Sequence, residues 1–154
     1  MATLPPRDAA RRSPLLVGST LLAVGLCACG GMDGLPPAAP ASFSGDFFQS
    51  VQSASGMMRI DVRWSPAVPA VGVDAGELTV TDATGTPISG LTLSIVPWMP
   101  AHGHGTSVKP QIAETAPGVF VATPLYLYMS GHWELRTAIG GADLDTAIPS
   151  VDLP

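Results

Sequence analysis

Two short segments hold the residues of this sequence with the clearest capacity for chemistry, and together they contain all three histidines of the chain. The first segment, PWMPAHGHG at residues 97–105, contains Met99, His102 and His104. Thioether sulfur suits Cu(I), whereas imidazole suits Cu(II), Zn or Ni. Glycine between and after the histidines permits tight backbone folding, and in an extended stretch the two rings project to the same side.

The second segment contains Met129 and His132 around Ser130 and Gly131, at a predicted turn between strands. If the two segments meet in the fold, five side chains form a candidate copper site: Met99, His102, His104, Met129 and His132. Each also has a structural interpretation. The methionines suit a core, and the histidines suit a solvated loop without a ligand.

Enzyme signatures are missing from the sequence. It has no HExxH motif, phosphate loop, dinucleotide fingerprint or nucleophile elbow. Glu114 and Glu134 stand singly on predicted strands, without the paired acid of general acid–base chemistry. We therefore expect a protein that is not an enzyme. The net charge of −5 also argues against nucleic acid as a partner, because phosphate binding needs a basic surface.

The N-terminal segment is typical of an exported protein. Three arginines precede residues 15–26, LLVGSTLLAVGL, an apolar run as long as a signal-peptide core and short for a membrane span. The following LCAC resembles a bacterial lipobox, which implies that Cys29 is lipidated after cleavage. An uncleaved anchor, or a secretory leader with an incidental cysteine pair, remains open.

The domain organisation follows from that assignment. We expect a lipoprotein signal peptide at residues 1–28, the lipidated cysteine and a flexible linker at 29–45, and a folded domain at 46–154. The linker is rich in Gly, Pro, Ala and Ser, so it buries too little apolar surface to fold. The protein would be exported and held on the cell membrane by its lipid, facing the periplasm or the outside.

Period-two alternation of apolar residues predicts an all-β domain. Met57 to Trp64 alternates as a half-buried antiparallel strand, and no later stretch shows a capped helical stripe. Further strands are predicted at 77–82, 91–96, 118–122, 125–129 and 132–139, separated by loops that include 65–76. Six to eight short strands favour an immunoglobulin-like antiparallel β-sandwich.

Several of these segments, in the same order, resemble the YtkA-like (FixH-like) family of exported bacterial domains. The resemblance runs through LTVTDATGTPISGLTLSI, MPAHGHG and APGVFVATPLYLYMSGHWELRTAI, over residues of about 58–139. It implies an Ig-like fold outside the cytoplasm and an association with copper handling or oxidase assembly. The matching positions are Met99, Pro100, His102, Gly103, Met129, Gly131 and Trp133. The family's Met-Pro-x-Met-x-His form is not fully kept, because Ala101 and His102 stand where a second Met is expected.

Two functions from different classes follow. The first is a metal-binding or metal-delivery module that uses copper, with His102 and His104 as its main ligands. The second is an interaction or assembly module without metal, in which a strand edge or the apolar residues 97–100 contact another envelope protein. The expected partners are the membrane, through the lipid, and an envelope protein.

Overall fold

The structure is a computed structural model that describes residues 41–46, 48–140 and 144–154. Within those residues the chain forms β-strands and one 3-10 turn, Pro100–His102. No helix in this part of the chain is long and apolar enough to cross a membrane. The strands are β1 (Gln49–Gln52), β2 (Met58–Ser65), β3 (Gly72–Asp82), β4 (Thr92–Met99), β5 (His104–Gly105), β6 (Gln111–Ala116), β7 (Val119–Leu127), β8 (Gly131–Gly140), β9 (Asp145–Ala147) and β10 (Ser150–Leu153).

Two antiparallel sheets make up the predicted sandwich. The first has the order β1-β2-β3-β7-β6, and the second has the order β10-β8-β4-β5, with β9 also paired to β8. The alternation that predicted the strands sets their inner faces, since neighbouring side chains on a strand point to opposite sides. Ile60, Val62 and Trp64 of β2 are buried in one core with Trp133 and Leu135 of β8. The all-β prediction is confirmed.

Strand limits differ from the sequence prediction in three places. β3 begins at Gly72, inside the loop predicted at 65–76. The period-two pattern does not show the first residues of this strand, because a register shift between Asp74 and Gly76 breaks the alternation. β7 is one continuous strand through Pro124 instead of two. β4 continues to Met99, so residues 97–99 belong to this strand, which the sequence predicted to end at residue 96.

The two ends of the sandwich carry different features. At one end, which we call the histidine end, β4 stops at Met99 and β8 starts at Gly131. The first described residues also lie there, since the Ser42 amide donates to Ser65 Oγ (3.2 Å) and Arg63 Nε donates to Gly45 O (2.9 Å). At the opposite end lie residues 53–57, which join β1 to β2, and residues 83–91, which join β3 to β4.

Candidate functional site

A tight return of the chain at the histidine end places the first two histidines together. Gly103 ends the 3-10 turn with φ 65°, and its amide donates to Met99 O (3.0 Å) and to Pro100 O (3.2 Å). The chain then runs back along β4, so that His104 pairs with Met99 and Gly105 with Trp98. Both imidazoles are exposed, and their ring centroids lie 5.7 Å apart at an interplanar angle of 61°.

Gly105 allows this return to lie close against β4. A Cβ atom at this position would come within 2.3 Å of Pro97 O, so a larger residue would push the strand away. The Thr106 amide donates to the same Pro97 O at 3.3 Å. The position of His104 therefore depends on the absence of a side chain at Gly105, whereas the sequence indicated only the flexibility of this glycine.

Met99 lies beside the histidine pair but faces the core. Its side chain is 2 % exposed. The Met99 methyl group lies 2.9 Å from the position that a Cβ on Gly131 would occupy. The two predicted segments therefore do meet, with the 3-10 turn lying close to β8. Their contact joins the buried methyl group of Met99 to the backbone of Gly131.

His132 projects from the other face of the same sheet. Trp133, its neighbour on β8, is buried in the core, so His132 points outward. Its Nδ1 atom lies 2.9 Å from Asp152 Oδ1 on β10, and the histidine side chain is 45 % exposed. The structure thus directs His132 and Met99 to opposite faces of one sheet.

Met129 contributes its backbone to the fold. Its carbonyl oxygen accepts a hydrogen bond from Trp133 Nε1 at 2.8 Å, while its side chain is 36 % exposed and does not belong to the core cluster. Of the five predicted ligands, only His102 and His104 place exposed donor rings side by side. In residues 41–46, 48–140 and 144–154, no group of three or more His, Cys, Asp or Glu side chains could hold a metal ion.

The sequence analysis missed Asp74, a buried acid of β3. It is 3 % exposed, and its partner across the sheet is the core residue Leu125. Its Oδ1 accepts the Ala70 amide at 3.4 Å, whereas its Oδ2 has no hydrogen-bond partner among the described residues. Burial raises the pKa of this carboxyl. Its sequence context does not indicate burial, because Asp74 lies in a segment rich in Gly and Pro.

Two tyrosines also lie at the histidine end. Tyr126 and Tyr128 stack with ring centroids 5.6 Å apart. They line a groove of about 350 Å³ together with Gly105, Thr106, Ser107 and Val108. The sequence placed both tyrosines on the outward face of their strand, but it could not show that the segment after His104 lies against them.

Fold and site together define a small antiparallel β-sandwich domain that presents a histidine pair at one end. The YtkA-like family model matches residues 53–138, which is more than half of the 154-residue chain. The chain therefore belongs to the YtkA-like family, as its motifs predicted, and this membership suggests a domain associated with the cell envelope. A search of curated proteins found no match, and a search of solved structures found none.

The predicted lipidation site and signal peptide lie outside the described residues. Cys29, residues 1–28 and residues 29–40 of the predicted linker all precede residue 41. The end of that linker is described, and its residues Ser42 and Gly45 contact β2 as given above.

Proposed function

We propose that this domain binds a copper ion through His102 and His104 and hands it on without catalysing a reaction. The proposal depends on one observation, the two exposed rings with centroids 5.7 Å apart. Two imidazoles that bind one ion through nitrogens at about 2.0 Å have ring centres roughly 4.5 to 6.3 Å apart, depending on the angle at the metal. The spacing of the pair therefore lies in the range that two ligands of one ion require.

The choice of copper follows from the donors and from their exposure. For nitrogen ligands the affinity of divalent metals peaks at copper. The exposed histidine pair neither encloses the ion nor imposes a geometry on it, so it does not change this order of affinities. Cu(II) is therefore preferred over Ni(II) and Zn(II). Because two protein ligands leave coordination positions open, an acceptor protein could take the ion through them. The Met99 side chain would have to leave the core before its sulfur could bind the ion.

The location that we propose is the cell envelope, with the lipid on Cys29 holding the protein to its membrane. An envelope protein in that membrane is then the natural acceptor of the ion.

Cu(II) titration followed by calorimetry and by electron paramagnetic resonance tests the site. We expect one ion per chain with nitrogen coordination. The double variant His102→Ala/His104→Ala should lose about 100-fold or more in affinity, since even outer-shell partners of a metal contribute 10–100-fold. His132→Ala is the matched control, because it removes an exposed histidine from the other face and should leave the affinity unchanged. Undiminished binding by the double variant contradicts the proposal.

A second candidate function is contact with an envelope protein without metal. The stacked Tyr126 and Tyr128 beside Val108 favour it, because aromatic side chains at an open groove supply large contact area at low entropic cost. Recovery of a partner from membranes, with and without a chelator, separates the two functions. Recovery that ignores the chelator but fails with Tyr128→Ala supports the second candidate.

A further inference from the structure

A groove of about 410 Å³ opens at the end of the sandwich opposite the histidines. It lies among the β1–β2 turn, the segment that leads into β4, and the first described residues after position 143. Its apolar lining consists of Met57, Met58, Ile88, Leu91 and Leu144. None of these residues belongs to the proposed copper site.

The floor and the rim of this groove differ in burial. Met58 and Leu91 pack against the hydrophobic core and form the floor. Met57 and Leu144 stand at the rim, where they are 63 % and 90 % exposed. Large apolar side chains that surround a concave opening are typical of ligand sites, and the volume lies in the range of small-molecule pockets.

Two carboxylates line the same groove. Asp82 accepts hydrogen bonds from the Thr84 hydroxyl at 2.6 Å and from the Thr86 amide at 2.9 Å. Asp145 accepts one from the Ser55 hydroxyl at 2.5 Å. Such bonds favour the ionised forms. The bonds from Thr84 and Thr86 lower the pKa of Asp82, and bonds from the Ser53 and Ser55 side chains lower the pKa of Asp145 to about 2.

No basic side chain of the described residues lines the groove to balance these charges. Hydroxyl and amide donors orient the two carboxylates without neutralising them. Elsewhere on the domain, three of the four described Lys and Arg residues are paired with their own acids: Arg59 with Asp61, Arg63 with Glu77 and Arg136 with Glu134. The groove therefore combines apolar walls with uncompensated negative charge.

The walls are held in place without a ligand. Glu114 of β6 accepts the Gly90 amide at 3.0 Å and the Gly118 amide at 2.9 Å, which fixes the segment before β4. The Ala54 amide donates to Thr146 O at 2.8 Å and joins the β1–β2 turn to β9. A preformed groove costs little ordering entropy when it binds.

We propose that this groove binds a small organic cation, in which a protonated amine is attached to an apolar chain. The ammonium group would lie against a carboxylate of the lining, that of Asp82 or that of Asp145, and the chain would lie over Met58 and Leu91. Charge complementarity selects this ligand over a neutral or anionic one of the same shape. The inference goes beyond the copper proposal and stands or falls independently of it.

Hexylammonium is the probe, and hexanol and hexanoate are the neutral and anionic ligands of similar size with which it is compared. Titration of the protein, monitored by NMR, should show saturable shifts at Met57, Leu91 and Leu144. We expect binding of hexanol and hexanoate to be at least about ten-fold weaker. Affinity for hexylammonium should fall as salt is raised. It should persist as the pH falls into the ordinary aspartate range, because the pKa of Asp145 lies at about 2 and the pKa of Asp82 is lowered.

Ser89→Lys tests the charge of the groove without changing Asp82 or Asp145. Ser89 is an exposed lining residue, and a lysine there should weaken hexylammonium about five-fold through like-charge repulsion. Ser107→Lys makes the same change of charge at the histidine end and should have no effect. The proposal is overturned if hexanol binds as tightly as hexylammonium or if Ser89→Lys changes nothing. A Leu-Lys-Leu peptide that binds where hexylammonium does not would also overturn it, since the occupant would then be a protein segment.

Discussion

Two buried tryptophans differ in whether the indole nitrogen has a hydrogen-bond partner. Trp64 and Trp133 are each 2 % exposed in the same core. Trp133 Nε1 donates to Met129 O at 2.8 Å, whereas Trp64 Nε1 has no partner among the described residues. Because a buried donor without a partner is costly, the two indoles should contribute unequally to stability.

We predict that Trp133→Phe destabilises the domain more than Trp64→Phe, by about 1 kcal/mol. Both variants lose similar apolar volume, but only the first loses a hydrogen bond, while the second removes an unpaired donor. Urea denaturation at neutral pH measures the free energy of unfolding of each variant. Equal losses would show that the bond to Met129 contributes nothing net.

Single-residue patterns predicted the core of this protein well and its candidate ligands less well. In the strand predicted at 132–139, Trp133 lies in the core and His132 faces away from it, as alternation along a strand requires. Met99 has the structural role that its residue type favours, since it is buried. No local pattern could show that its methyl group would reach Gly131, because that contact joins two segments distant in sequence.

At the scale of elements, Glu114 has a role that its isolated position in the sequence did not indicate. Its sequence context predicts only a single carboxylate on a strand. In the structure its two oxygens accept the amides of Gly90 and Gly118, and so join β6 to the segment before β4 and to the β6–β7 turn. A single acid thereby fixes two connections at one end of the sandwich.

The β6–β7 turn should tolerate no side chain at Gly118. Its φ of +72° disfavours other residues, and a Cβ there would lie 2.9 Å from Val80 O and 3.0 Å from Ile88 N. We predict that Gly118→Ala destabilises the domain by about 2–4 kcal/mol, through backbone strain together with displacement of neighbouring backbone. Thermal unfolding measures this loss.

Gly56→Ala is the matched control for that prediction. Gly56 has nearly the same φ, +73°, but nothing lies within 4 Å of its Cβ position. It should cost only the conformational strain, about 1 kcal/mol. If both variants lose the same stability, close packing around Gly118 has no energetic role.

At the scale of the whole molecule, Asp145 connects the two sheets. It begins β9 of the second sheet, and its carboxylate accepts the amide and the hydroxyl of Ser55, in the β1–β2 turn of the first sheet. Hydrogen bonds from Ser53 and Ser55 lower the pKa of Asp145 to about 2. Because the folded-state pKa lies below the ordinary value of 3.8, the ionised carboxylate stabilises the fold.

This stabilisation is fully present above about pH 4 and is lost as the pH falls towards 2. We predict that Asp145→Asn lowers stability at pH 6 and shows a smaller further loss between pH 4 and 2 than the natural protein. Denaturation midpoints across that range measure both effects. Asp46→Asn, at an exposed aspartate, is the control and should leave the acid response unchanged. A parallel acid response in Asp145→Asn and the natural protein would contradict the role of this contact.

The sequence by itself determined the all-β class, most strand positions and the family of this protein. The first two follow from local information, because period-two alternation sets which side chains of each strand are buried. The family follows from motifs that resemble those of its members in the same order. The tertiary structure decided which candidate ligands share a site. Pairing of β4 with β8 places Met99 and His132 on opposite faces of one sheet. Pairing of β4 with β5 brings His102 and His104 together. The tertiary structure also formed the acidic groove from three separate segments, since sheet register and loop packing depend on contacts that no local pattern contains.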